Sequence, residues 1–315
     1  MMPKPKSSTI FLLFLVSTGG WLSAASETLA QSSQGTPRKI ISDDFTKNRP
    51  GTQTSNTKGS EGQASSGVRA KPKQPKRTYQ VAASSTATTH SKISTNTPEQ
   101  LGITIWRLRP ANANDTGARM LVRDKSWVPE RVAAGTSFRE GDQLRLSIES
   151  AQAGYLYVVD RELLMDGSTG PAMLIYPWAG VQMSNQVGPG KLIDIPAQDD
   201  SPSYFTARRS SPNHAGEILT VIVTSSPLDL PVSDKPLPIS NADLAHWEKL
   251  LGGPTEHLEM EGGAGETWTT QEQQAASSKG GRQLTREDPA PQTIYRVFGI
   301  DKKGLLVNVR LLYGR

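Results

Sequence analysis

Gly154-Tyr155-Leu156-Tyr157-Val158-Val159-Asp160 is the run that decides the fold. It is short, almost wholly apolar, rich in β-branched and aromatic residues, and set between turn-formers. A segment of that length and composition is a strand buried on both faces. Strand-like runs lie on either side of it, which predicts that it occupies the centre of a sheet. Just before it, Leu144, Leu146 and Ile148 alternate strictly with Gln143, Arg145, Ser147 and Glu149, the pattern of a half-buried strand. Gln152-Ala153-Gly154 turns one into the other, so the two are expected to form a hairpin.

Further strands follow outward in both directions. Upstream, order should begin near Leu101, and Ile103 to Arg109 places Thr104, Trp106 and Leu108 on one strand face. Arg119–Arg123 is a second strand, and Pro129 restricts 127–132 to an edge or a connection. Downstream come 173–178, 191–196, 204–206 and the long apolar run 217–224. Ser240-Asn241-Ala242-Asp243 then opens a helix with Leu244, Trp247 and Leu251 on one face and Gly252-Gly253-Pro254 as its stop. Thr269-Thr270-Gln271-Glu272 offers a second, shorter one. Runs 293–298 and 305–311 flank Asp301-Lys302-Lys303-Gly304, a predicted hairpin whose last strand would complete the sheet opened by Ile103. Nine or ten short strands, many Gly/Pro turns and one or two short helices predict an all-β, mainly antiparallel β-sandwich, Ig-like or similar, over 99–315. Strands are not separated by regular helices, which argues against a doubly wound parallel sheet.

The N-terminal third has a different character. Lys4 and Lys6 precede the apolar run Ile10–Val16, and small residues follow at Ser23-Ala24-Ala25. That is the pattern of a secretory signal peptide, 1–25 or 1–30 according to whether cleavage follows Ala25 or Ala30. Gly19, Gly20 and Ser23 stop the run short of the ~20 apolar residues of a membrane span, so no transmembrane helix is expected after cleavage. The address is extracytoplasmic, periplasmic or secreted. Residues 31–98 hold 11 Lys/Arg against 3 Asp/Glu and few large apolar side chains, which predicts a disordered basic linker. Residues 99–315 hold 22 against 26, so the basic character belongs to the tail. Within it Arg69, Lys71, Lys73, Lys76 and Arg77 could meet an anionic lipid or wall polymer. Nucleic acid fits least, because no recognition fold accompanies the charge.

The stretch 137–228 resembles a bacterial domain-of-unknown-function family, number 4384. The residues carrying the likeness are Phe138-Arg139-Glu140-Gly141-Asp142, Gly154 to Val159, Ile175-Tyr176-Pro177, Asn185, Val187, Pro189-Gly190, Ile195-Pro196 and Gly216-Glu217. The resemblance implies a β-sandwich module, 137–228 being its core, with a sensing or partner-binding role rather than catalysis. It brings no functional residues with it.

Chemistry is thin. The chain has no cysteine, which removes thiolate metal sites, cysteine nucleophiles and disulfides. No nucleophile elbow, zinc-protease pair or phosphate-cradling loop is present, and His90, His214, His246 and His257 are scattered singly. No catalytic residue, metal ligand or cofactor site is assigned. Two carboxylate groups remain candidates: Asp160 with Glu162, which could face a cleft, and Asp194 with Asp199 and Asp200, which could gather around a cation. Tyr176 and Trp178 run into Ala179-Gly180, where a ring can stand at a rim and hold a sugar or a partner, or fold back over the sandwich end. Two functions follow. One is a non-enzymatic binding, sensing or accessory module of the bacterial cell envelope; the other is a carboxylate-dependent hydrolase acting on an envelope glycan.

Overall fold

Alternation of apolar side chains along so many strands leaves one apolar face per strand to bury, and two packed sheets satisfy it. The computed structural model describes residues 40–41, 43–51, 78–81, 97–122, 125–177, 185–231, 233, 235–277, 281–299 and 303–314. The signal-peptide segment, Trp178 and the basic run from Arg69 to Arg77 lie outside the described residues.

In chain order the N-terminal pieces are β1 (Ile40–Ile41), α1 (Asp43–Thr46) and β2 (Thr78–Val81). Next come β3 (Glu99–Pro110), β4 (Met120–Val122), β5 (Lys125–Val132), β6 (Ser137–Phe138), β7 (Gln143–Ser150) and β8 (Gly154–Leu164). They are followed by β9 (Ala172–Tyr176), β10 (Gln186–Val187), β11 (Leu192–Ile195), β12 (Phe205–Thr206) and β13 (His214–Thr224). The chain closes with β14 (Leu237–Ile239), α2 (Asn241–Leu251), β15 (Thr255–Met260), α3 (Thr270–Ala275), β16 (Thr293–Val297) and β17 (Gly304–Tyr313).

The first sheet runs β1-β2-β15-β16-β3-β5-β4, with β7 on the other edge of β3 and β11 and β12 beyond β7. The second runs β14-β9-β8-β13-β17-β6, with β10 also on β8. Among the described residues all strand pairings are antiparallel except β6 with β17. As expected, β8 is an interior strand: β13 pairs it from Tyr155 to Leu164, and β10 and β9 share its other edge. Between the sheets lies the main core, with Leu101, Ile103 and Ile105 facing Leu156, Val158, Val221 and Val307. Removing each such side chain from water contributes about 1.5–3 kcal/mol.

Both outer faces are covered as well, which is why β8 reads as apolar on both sides and why β7, expected to be half-buried, has Arg145, Ser147 and Glu149 of its polar face buried too. On the second sheet, α2 lays Leu244, Trp247 and Leu251 over Tyr157, Val159 and Ile222. The Ser240 hydroxyl accepts the Asp243 N–H at 3.0 Å, the predicted cap. On the first sheet, α3 and its flanks cover Trp106 and Leu108, and Thr269 with Glu272 closes a capping box. No described helix is long and apolar enough to cross a membrane.

Two expected hairpins are not formed. β7 belongs to the first sheet and β8 to the second, so the 151–153 turn crosses the sandwich. β16 and β17 are likewise divided, and β17 pairs β13 and β6 rather than the sheet of Ile103. In both cases the strands stack through their side chains, Ile148 and Leu156 in one core cluster, Val297 and Leu305 in the same one. An arch and a hairpin present the same alternation, so period alone does not separate them.

The expected linker 31–98 also contributes to the fold. Phe45 and Arg49 are buried, Tyr79 is fully so, and β2 adds a strand to β15. Few apolar residues suffice, because each lands on a surface that the domain already provides.

Candidate functional site

The inner face of β8 changes chemistry along its length. Period-two alternation puts Asp160 and Glu162 on the face of Leu156 and Val158, at the end of the core. Across the ladder, Glu217 of β13 sits in register with Glu162, and Leu219 with Asp160. The sequence-predicted pair Asp160 and Glu162 therefore meets a third carboxylate, Glu217. His214 and Tyr313 complete the group. The Tyr313 hydroxyl donates to Glu217 Oε1 at 2.9 Å, and its ring meets the His214 imidazole edge-on at 5.1 Å.

His214 is buried with its tautomer set by two backbone contacts. Nδ1 accepts the Ser210 N–H at 3.0 Å, leaving the proton on Nε2, which lies 2.8 Å from Gly216 O and 3.2 Å from Glu217 Oε1. The register shift between His214 and Gly216 lets one short stretch aim both His214 and Glu217 inward.

Burial dominates the electrostatics here. It carries the Asp160 carboxyl up to about 7, with the Glu217 charge adding to it. Glu217 is raised for the same first reason, opposed by its bonds to Tyr313 and His214. Tyr313 is pushed above the ordinary phenol range by burial and by Glu217. Asp160 Oδ1 and Glu217 Oε2 are buried without a hydrogen-bond partner among the described residues. Near neutral pH such an arrangement holds a proton that an exposed carboxylate pair would release.

Next to this group is an open depression of about 470 Å³ lined by Arg139, Glu140, Arg209 and Gly314. Arg209 joins the two: its guanidinium donates to His214 O at 3.2 Å and to Gly314 O at 2.8 Å. Its backbone N–H approaches Glu140 Oε2 at 3.5 Å. Asp160, Glu162 and Glu217 line neither this depression nor the smaller one at the opposite turn of Gln152 and Gly304.

The remaining predicted residues lie elsewhere. Tyr176 is not a rim aromatic: it is 4 % exposed, in the main core, with its hydroxyl unpartnered among the described residues. The alternation of β9 turns it inward opposite Val158. Asp194 does not gather with Asp199 and Asp200. It is buried on the outer face of the first sheet, where Arg145 donates at 2.9 Å and the Ser147 hydroxyl at 2.5 Å. Asp200 instead closes the turn 197–200 by accepting the Ala197 N–H at 2.7 Å, and Asp199 is exposed on that turn. Among the described residues no group of three or more His, Asp or Glu is placed to hold a metal ion.

Tyr313 and Arg209, and His214 as a member of a group, are not singled out by the sequence, and Glu217 enters there only through the family likeness, without a role. A signal for Glu217 exists there, since it precedes Leu219, Val221 and Val223 at strict alternation and so carries a charge onto an apolar face. Comparison with protein-family models, with curated proteins and with solved structures returned no match. The likeness of 137–228 to the family named above therefore rests on those residues alone.

Proposed function

We propose that the chain is an exported, non-enzymatic binding module of the bacterial cell envelope that takes a protein partner at the charged end of the sandwich. The observation carrying this reading is the depression walled by Arg139, Glu140 and Arg209. It is open and charged, and it is braced from behind by the His214–Glu217–Tyr313 group, so its walls are held in place before a partner arrives. Rim charges of this kind set orientation and encounter rate. The N-terminal sequence supplies the address. The basic run Arg69, Lys71, Lys73, Lys76 and Arg77 would add a contact with an anionic lipid or wall polymer. In a pull-down of the mature chain against its own envelope fraction, Arg139→Glu should lose the captured protein while leaving the unfolding midpoint in place. Undiminished capture by that variant would remove the depression from the function.

The second reading, a hydrolase acting on an envelope glycan, would require Asp160 and Glu217 to open onto a cleft, and they line neither depression. Glycoside cleavage needs one carboxyl protonated near neutral pH beside a second, ionised one, whereas burial raises both Asp160 and Glu217. Release of reducing sugar from envelope glycan by wild type, and its loss in Asp160→Asn, would establish it. Equal release by both would dismiss it.

A further inference from the structure

The N-terminal segment 43–51 lies in a trough on the outer face of the first sheet, and its contacts are specific. The Arg49 guanidinium meets Glu149 as a fork, Nε to Oε1 at 2.8 Å and Nη2 to Oε2 at 2.6 Å. Its other donors reach Thr285 O at 3.2 Å, Asp288 O at 3.0 Å and Pro289 O at 3.1 Å. All five N–H groups are thus used, and both side chains are almost fully buried. Four residues earlier Phe45 enters an apolar seat made by Tyr79, Leu258, Met260 and Ile294. The floor beneath the ring is Gly102: a Cβ there would come within 2.9 Å of Phe45 and closer still to Pro291. Pro50 packs against Gly190 in the same way. Arg286 Nε donates to Arg49 O at 3.2 Å, fixing the backbone of the segment.

Without this segment Glu149 loses its guanidinium partner, its one other described hydrogen bond being the Gly190 N–H at 3.0 Å. An emptied trough would present that carboxylate and the carbonyls of Thr285, Asp288 and Pro289 in the arrangement that a guanidinium fills. Lysine does not meet the requirement, because an ammonium cannot present the planar fork together with three further donors in one plane. The apolar seat adds a ring one helical turn before the arginine. The trough therefore specifies a segment of the form Phe-x-x-x-Arg. Twenty-six residues separate Gly51 from Thr78, a chain that spans at most about 90 Å.

We propose that this trough is an exchangeable docking site, filled here by the chain's own residues 43–51, and that the same segment of a second copy can fill it. A second copy carries an identical Phe45, Arg49 and Pro50, so it is complementary by construction, and exchange of an identical element is a low-cost route to dimers.

The test uses the full chain in two ways. First, a labelled peptide of residues 40–51 is titrated into the chain carrying Phe45→Ala and Arg49→Ala, with folding checked by circular dichroism. Saturable binding is expected, at least about tenfold weaker for a peptide with Arg49→Lys, since hydrogen bonds to a charged group are lost. A folded double variant that does not bind the peptide overturns the docking site. Secondly, wild-type copies are labelled separately at introduced cysteines, one population at position 44 and the other at position 287; the natural chain has no cysteine to interfere. Energy transfer that grows with time and with concentration on mixing supports exchange. Its absence at the highest soluble concentration overturns exchange, whether or not the double variant folds.

Discussion

Replacing Asp160 by asparagine should flatten the pH dependence of folding stability. Burial, then the Glu217 charge, moves this carboxyl from its ordinary value of 3.8 up to about 7. The folded chain thus binds the proton more tightly than the unfolded chain. Its contribution is complete below about pH 4 and is lost as pH rises through about 7. At ~1.36 kcal/mol per pH unit, the full displacement is worth ~4 kcal/mol, of which ~3 kcal/mol falls between pH 5 and pH 8. Water entering at the open end and relaxation around the charge reduce this to ~1–3 kcal/mol in practice.

The groups facing Asp160 come from three strands: Glu162 of β8, His214 and Glu217 of β13, and Tyr313 of β17. Glu217 is raised with it, so the wild-type slope belongs to the pair rather than to one residue. The asparagine side chain keeps the shape and carries no proton to lose. Asp194 and Asp200 are also raised by burial, but they are common to both chains and cancel in the difference. Urea unfolding at pH 5, 6, 7 and 8 measures it. The two proteins should be similar at pH 5, and Asp160→Asn the more stable by ~1–3 kcal/mol at pH 8, with equal m-values. Parallel curves for the two proteins would refute the buried-proton account.

Tyr157→Ala should destabilise by about 3–5 kcal/mol in urea, because the ring is buried beneath α2 and its hydroxyl accepts the Leu228 N–H at 2.8 Å. An unchanged midpoint would take β8 out of the core. Arg145→Met should cost about 3–5 kcal/mol by stranding Asp194, and Arg145→Met with Asp194→Leu should recover part of that loss. If the double variant is no better than the single one, the pair's cost is not a stranded charge. Tyr176→Phe removes a buried hydroxyl without a partner among the described residues, so thermal melting should show a loss of at most ~0.5 kcal/mol, or a gain. A large loss would reveal a hydrogen bond that the geometry does not show.

What could be read from the sequence follows from how locally each feature is encoded. The central strand at 154–160 and the helix capped by Ser240 are written in adjacent residues, by composition and by a hydroxyl three residues before the amide it accepts. The arches between β7 and β8 and between β16 and β17 are not. Whether two neighbouring strands bond edge to edge or stack face to face depends on which distant strands compete for their edges. Here β11 and β3 take the edges of β7, and β13 and β6 take those of β17. The acidic group shows the same divide. Asp160 and Glu162 are visible as a pair two residues apart, but their significance comes from Glu217, brought opposite by a ladder between strands about 55 residues distant in the chain. Segment 43–51 is the extreme case. Its composition is that of a linker, and composition correctly reports that it has no core of its own. It folds because one arginine finds a carboxylate 100 positions away and one phenylalanine finds a glycine floor. Where a side chain's partner is the reason for its order, the order becomes legible only once the partner's surface exists.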